Sequence, residues 1–171
     1  MRDVAEQMGT SSGLVHHYFA SMDDLLAAAF EQAAAGDLDL IRTAMERAGD
    51  ALAQLRVFFR SYTRAEQDWA FQLWLDAWAE ATRRPAIGAT SQRLNVAWQQ
   101  LLAAAIHRGV AEGALTCPDP DAAGWRILSL LDGLALQALA HRATIAPEQV
   151  ITWSAGFAET ELGLPPGALL A

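Results

Sequence analysis

Around a glycine near the start of the chain, the sequence gathers small hydroxyls and imidazoles: Thr10, Ser11 and Ser12 follow Gly9, and His16, His17 and Tyr18 follow Leu14. Such groups give and take hydrogen bonds without the desolvation cost of a full charge. Together with one apolar contact from Leu14, they suit base edges and phosphates. Adjacent histidines on a helix point about 100° apart, so His16 and His17 share a metal only if a third element joins them. DNA contact is the leading reading for the pair, ahead of plain surface and then metal.

A second constellation is aromatic. Phe71, Trp74 and Trp78 fall at i, i+3 and i+7, with Phe58, Phe59 and Tyr62 before them and Trp98 after. Leucine fills a helical bundle without a polar N–H to satisfy, so indoles on neighbouring helices fit either a solid core or a cavity for flat, greasy molecules. Phe59, Tyr62, Trp74, Trp78 and Trp98 are the ligand-binding candidates. Asp132, inside an otherwise apolar run, needs a hydrogen-bond partner or a wet cavity, and either reading fits. His107 and His141 come late on their helices, where a cation favours the dipole. Cys117, between Thr116 and Pro118, lacks the context of a nucleophile. No Ser-His-Asp set, carboxylate pair, phosphate loop or metal cluster survives inspection. The expectation is therefore a protein with no catalytic residue, cofactor or metal, and an enzyme ranks as the weakest reading.

The elements that must position these residues are helical. Alanine and leucine dominate, apolar residues recur at three and four spacings, and no alternating run reads as a strand. Breaks at 9–13, 20–21, Gly36, 49–50, Arg64 to Glu66, 84–88, 113–120 and 144–147 leave about eight helices. Ser21 with Asp24 forms a capping-box pattern, Asp119-Pro120-Asp121 and Pro147-Glu148 read as helix starts, and Gly113 as a C-cap. Pro165-Pro166 is expected to close the last helix.

With 171 residues, the chain can bury roughly 70% of its unfolded surface without disulfides or a structural metal. A lone cysteine and no leader-like stretch make a reducing cytoplasm the expected compartment. The most apolar run, Ile127 to Ala140, is shorter than the ~20 residues a membrane span needs. A net charge of −8 excludes nucleic-acid binding by bulk electrostatics, so any such contact must be local.

Val4 to Gly9, the turn Thr10 to Gly13, and Leu14 to Phe19 have the form of a helix-turn-helix. Val4, Ala5 and Met8 are expected to face Leu14, Val15 and Tyr18. A buried stripe should continue through Phe19, Met22, Leu25, Leu26, Ala29 and Phe30, making residues 1–30 one unit and residues 31–171 a second, larger one. In such a motif the second helix enters the major groove by its N-terminus, which presents Thr10, Ser11, Ser12, Leu14 and His17.

The stretch from Arg2 to Leu26, with Ala5 four residues before Gly9, Ser11-Ser12-Gly13 at the turn, and Tyr18-Phe19 before Ser21, resembles the DNA-binding signature of the tetracycline-repressor (TetR) family. A weaker echo runs from Arg108 to Leu115 and from Leu131 to Ala135. The resemblance implies an all-helical, dimeric repressor, with an N-terminal helix-turn-helix that reads a double-stranded operator and a larger domain that holds a small-molecule effector. It also brings His16 and Tyr18 into the DNA-contacting set. Two departures remove expected backbone contacts: Met22 stands where the family usually has Lys, and His16 where it often has Tyr. The family's signature is also normally preceded by a further helix, whereas this chain begins inside the motif. The expectation is weak DNA binding that upstream residues would restore.

Residues 123–141 are apolar around most of the helix, as when one face packs on its own subunit and another on a partner. A homodimer interface over residues 122–142 and 147–162 is expected, centred on Leu136, Leu139, Trp153 and Phe157. A dimeric sensor or carrier that does not bind DNA is the alternative function.

Overall fold

The protein is described by a computed structural model covering residues 1–62, 67–141 and 144–171. The expected break at Arg64 to Glu66, and Arg142 within the expected interface segment, lie outside the described residues. Among the described residues there are eight helices and no strand: α1 Arg2–Gln7, α2 Ser12–Tyr18, α3 Met22–Glu46, α4 Ala51–Ser61, α5 Gln67–Ala81, α6 Pro85–Ala111, α7 Pro120–Ala140 and α8 Pro147–Glu161.

The caps follow the sequence pattern. Gly9 at φ +64° lets α1 end in a left-handed turn, in which its N–H reaches the Glu6 carbonyl and the Thr10 N–H the Ala5 carbonyl. Ser11 then caps α2, its Oγ accepting from the Leu14 N–H at 3.1 Å. Ser21 Oγ accepts from the Asp24 N–H at 3.0 Å and donates to the Asp24 carboxylate at 2.7 Å, and Asp119 caps α7 by accepting from the Ala122 N–H. At α8 only half a capping box exists: Gln149 accepts from the Ala146 N–H, but alanine has no oxygen to return the favour.

Three expectations about elements are corrected. Gly36 does not break the chain, because α3 runs straight through it on a buried stripe of Ala27, Phe30, Ala34, Leu38, Ile41 and Met45. One glycine costs about 1 kcal/mol against alanine, less than that stripe gains by burial. The last helix ends before the prolines, at Glu161, with Gly163 at φ +67°. The stripe expected to enclose residues 1–30 closes only in part: Ala5, Val15, Ala27 and Phe30 are buried, whereas Leu14, Tyr18 and Leu26 are exposed and Met8 is 67% exposed.

The main core joins α4, α6, α7 and α8 around Phe58, Phe59, Leu102, Ile106, Ile127, Leu131 and Leu162. The C-terminal segment completes it. Leu169 is fully buried there, held as the Glu159 carboxylate accepts from the Gly167 and Leu169 N–H groups at 2.9 and 2.8 Å. A second cluster ties the first half of α3 to the α5–α6 corner through Ala27, Phe30, Ala34, Ala77, Ile87 and Leu94. Thus α3 spans both lobes, and the boundary expected at residue 30 falls inside it. No helix among the described residues is long and apolar enough to cross a membrane.

Candidate functional site

The first candidate site is the outer face of α2. Leu14, His16, His17 and Tyr18 are exposed, Tyr18 at 71%, while Val15 alone anchors the helix inward. The rings of His17 and Tyr18 meet edge to face at 5.2 Å. Thr10 and Ser12 are half-buried, and the Ser11 hydroxyl is engaged as the cap of α2. Against this face the local charge is unfavourable: Arg2 alone opposes Asp3, Glu6, Asp23 and Asp24 within residues 1–30, a net of −3.

The second is a small cavity between α3, α5, α6 and α7, with a volume of about 40 Å³. Helix α5 supplies one wall with Phe71, Trp74, Leu75 and Trp78, α6 gives Asn95 and Trp98, and Tyr62 closes the end of α4. Trp74 and Trp78 lie 5.7 Å apart, and Tyr62 stacks on Phe71 at 5.9 Å. Two carboxylates join the rings: Asp37 from α3 and Asp132 from α7. Burial pushes the Asp132 carboxyl up to about 7. Tyr62 is held well above the ordinary phenol value, first by burial and then by the charges of Asp132 and Asp37. Its hydroxyl therefore stays neutral and can donate.

The structure thus brings Tyr62, Trp74, Trp78 and Trp98 together around one space, and puts Asp132 in its wall. Phe59 is elsewhere: fully buried one turn before Tyr62, it packs on Phe58 inside the main core and does not line the cavity. Leu136 and Leu139, both half-buried, line the cavity, and Phe157, also half-buried, packs against the main core. Of the four expected interface centres, Trp153 is the one in the exposed class, at 48%. Asp37 and Asn95 were not among the expected site residues. Their signal was present, since Asp37 shares a face with Ala34 and Ile41, and Asn95 with Ser91 and Trp98, all buried. Cys117 is a buried free thiol, and His107 Nε2 lies 3.4 Å from the Asp121 carboxylate.

An exposed helix-turn-helix joined by one long helix to a helical domain with an internal cavity defines the class of one-component DNA-binding regulators. Comparison with known families agrees. Residues 1–29 match the bacterial regulatory proteins of the tetR family, and residues 51–163 match the C-terminal domain of BetI-type transcriptional repressors. The chain belongs to the TetR family of transcription regulators, which are DNA-binding factors and not enzymes.

Among solved structures, a transcriptional regulator from Pseudomonas aeruginosa PAO1 is 26% identical, with a TM-score of 0.81 over 93% of this chain and 78% of that one. A transcriptional regulator from Saccharomonospora viridis, solved in complex with choline, is 24% identical, with a TM-score of 0.81 over 94% and 85% of the two chains. A TetR regulator from Haloarcula marismortui ATCC 43049, 22% identical over 93% and 85%, also has a TM-score of 0.81. No curated protein matches the sequence.

Proposed function

We propose that this regulator is a ligand-responsive repressor, released from its operator by a small effector held in the aromatic cavity. The observation that supports the reading is the convergence of Tyr62, Trp74, Trp78 and Trp98, with Asp37 and Asp132, on one space. Two subunits would set Thr10 to Tyr18 in successive major grooves about 34 Å apart. An effector that prefers the other spacing releases the DNA by a coupling of about 1–3 kcal/mol. Its body is apolar or aromatic, to match the walls.

A positively charged head is a second reading, favoured by Asp37 and Asp132 among the rings, because a cation over an aromatic face beside a carboxylate is doubly stabilised. The choline complex of the Saccharomonospora viridis regulator offers a precedent in the same fold.

Tryptophan fluorescence tests both readings. Choline and its neutral isostere 3,3-dimethylbutan-1-ol are titrated alongside a panel of aromatic compounds, and each binder is then tested for release of DNA selected by the protein from random duplexes. Quenching and release by an aromatic compound supports the first reading, and choline outbinding its isostere the second. If nothing quenches, and Trp74→Ala costs the ~3–5 kcal/mol of a true core truncation, the aromatic cluster is solid core and the proposal fails.

A further inference from the structure

We infer that the ion-pair bridge Asp23–Arg84–Glu80 couples the aromatic cavity to the DNA-reading hairpin, with Arg84 as its positioning residue. This rests on the cavity being the effector site.

Trp78 lines the cavity, and Glu80 stands half a turn further along α5. The Glu80 carboxylate accepts from Arg83 Nη2 at 2.6 Å and from Arg84 Nε at 2.8 Å. These two hydrogen bonds, Arg83's first, hold it below the ordinary carboxylate value. From its other side the Arg84 guanidinium donates to Asp23, in the first turn of α3. Helix α3 begins at Met22, soon after Tyr18 and Phe19, so Asp23 lies close in sequence to the end of the recognition helix. One planar guanidinium therefore fixes both the end of α5 and the start of α3, and its fork resists rotation between them in a way a point charge would not.

Two further contacts make the α5–α6 corner move as a body. A Cβ on Gly88 would lie 2.8 Å from the Ala81 carbonyl oxygen, so the end of α5 and the start of α6 are in backbone contact. Trp74 also meets Phe30 of α3 edge to face at 5.1 Å. That apolar contact carries force between the lobes but is non-directional, and helices slide across such surfaces. The directional link is Arg84. Arg93 and Glu31 add a second, exposed pair at 2.9 Å more than two turns further along α3.

Arg84, Asp23 and Glu80 are each partly exposed, and exposed pairs contribute little to stability. Removing the bridge should therefore uncouple the lobes without unfolding them.

The test is a double-mutant cycle on the full chain, read as affinity for duplexes selected by the protein from a random pool. Trp78→Ala perturbs the cavity wall; Arg84→Gln and Asp23→Asn break the bridge. We expect Trp78→Ala to change DNA affinity about fivefold or more in the parent, and less than about twofold in the Arg84→Gln background. Arg84→Gln and Asp23→Asn combined should suppress this response no further than either does alone. Both bridge substitutions also shift the baseline by altering charge near DNA, and the cycle cancels that term. If Trp78→Ala does not fold, Trp78→Phe takes its place.

Equal effects of the cavity substitution in both backgrounds, zero included, overturn the inference. Because the cycle contains no effector, the two ideas fail separately. A coupled cycle with no compound that releases DNA removes the effector reading, whereas effector release that survives Arg84→Gln undiminished removes the bridge.

Discussion

At the scale of single residues, Asp132 shows how burial sets chemistry. Its carboxyl sits in an aromatic wall, and desolvation alone raises it from the ordinary range to about 7. A carboxyl whose folded pKa exceeds its unfolded value loses stability as pH rises. The unfolded chain releases its proton near pH 4, the folded one only near 7, so the contribution is full below pH 4 and gone above 7. At about 1.4 kcal/mol per unit, the penalty is at most roughly 4 kcal/mol. We expect Asp132→Asn to raise the melting temperature at pH 8 and to leave it unchanged near pH 4. Thermal melts across that range check this, and a pH-independent difference would contradict it. The sequence made Asp132 legible as a misfit in an apolar helix, but not Asp37 or Asn95, which look like ordinary surface polars until the stripe on their own helix is phased. Phe59 fails the other way: adjacent to Phe58 and near Tyr62 in sequence, it is buried in the core and does not line the cavity.

At the scale of elements, glycine is where sequence and structure part most clearly, because the same residue type marks opposite situations. Gly36 lies mid-helix with open space around the position of a Cβ, whereas Gly88 backs onto the Ala81 carbonyl. Both were expected as breaks, and only packing separates them. Gly36→Ala should stabilise the protein by up to about 1 kcal/mol through helix propensity alone. Gly88→Ala should destabilise it by about 1–3 kcal/mol, since a backbone oxygen cannot step aside as a side chain can. Paired urea titrations decide the matter, and equal signs for the two substitutions would show that the corner is looser than described. The eight helices themselves were legible from periodicity and caps, with Ser11, Ser21 and Asp119 capping as their spacing indicates. The partial cover of residues 1–30 was not, because an apolar stripe shows which residues can be buried and not whether another element arrives to bury them.

At the scale of the whole molecule, the open question is what covers the outer face of α7 and α8. The all-round apolar pattern of residues 123–141 indicated two packed faces but could not assign them, since the phase of the helix is set by its contacts with α6 and α8. In the structure Ile127, Leu128 and Leu131 turn to the core, and Leu136 and Leu139 to the cavity. The outward stripe is Trp125, Ser129, Gly133 and Gln137, beside Trp153 and Gly156 of α8. Trp125 is 39% and Trp153 48% exposed, and neither glycine has any atom within 4 Å of where a Cβ would stand. Large exposed indoles next to bare backbone suit close approach of a second copy: small residues let helices meet, and aromatic anchors dominate the energy of such interfaces. Arg126 and Glu161 pair across the two helices at 2.5 Å and hold this face as one surface. We therefore expect a two-fold dimer with α7 and α8 of each subunit forming a four-helix bundle, centred on the two tryptophans instead of on Leu139 and Phe157. Trp125→Glu combined with Trp153→Glu should give a folded monomer in light scattering, because both side chains already reach solvent and their loss leaves the core intact. The same pair should abolish cooperative binding to a two-half-site duplex while sparing fluorescence quenching by any cavity ligand, since no cavity wall is touched. A dimer mass unchanged by the double substitution would place the subunit interface on another surface.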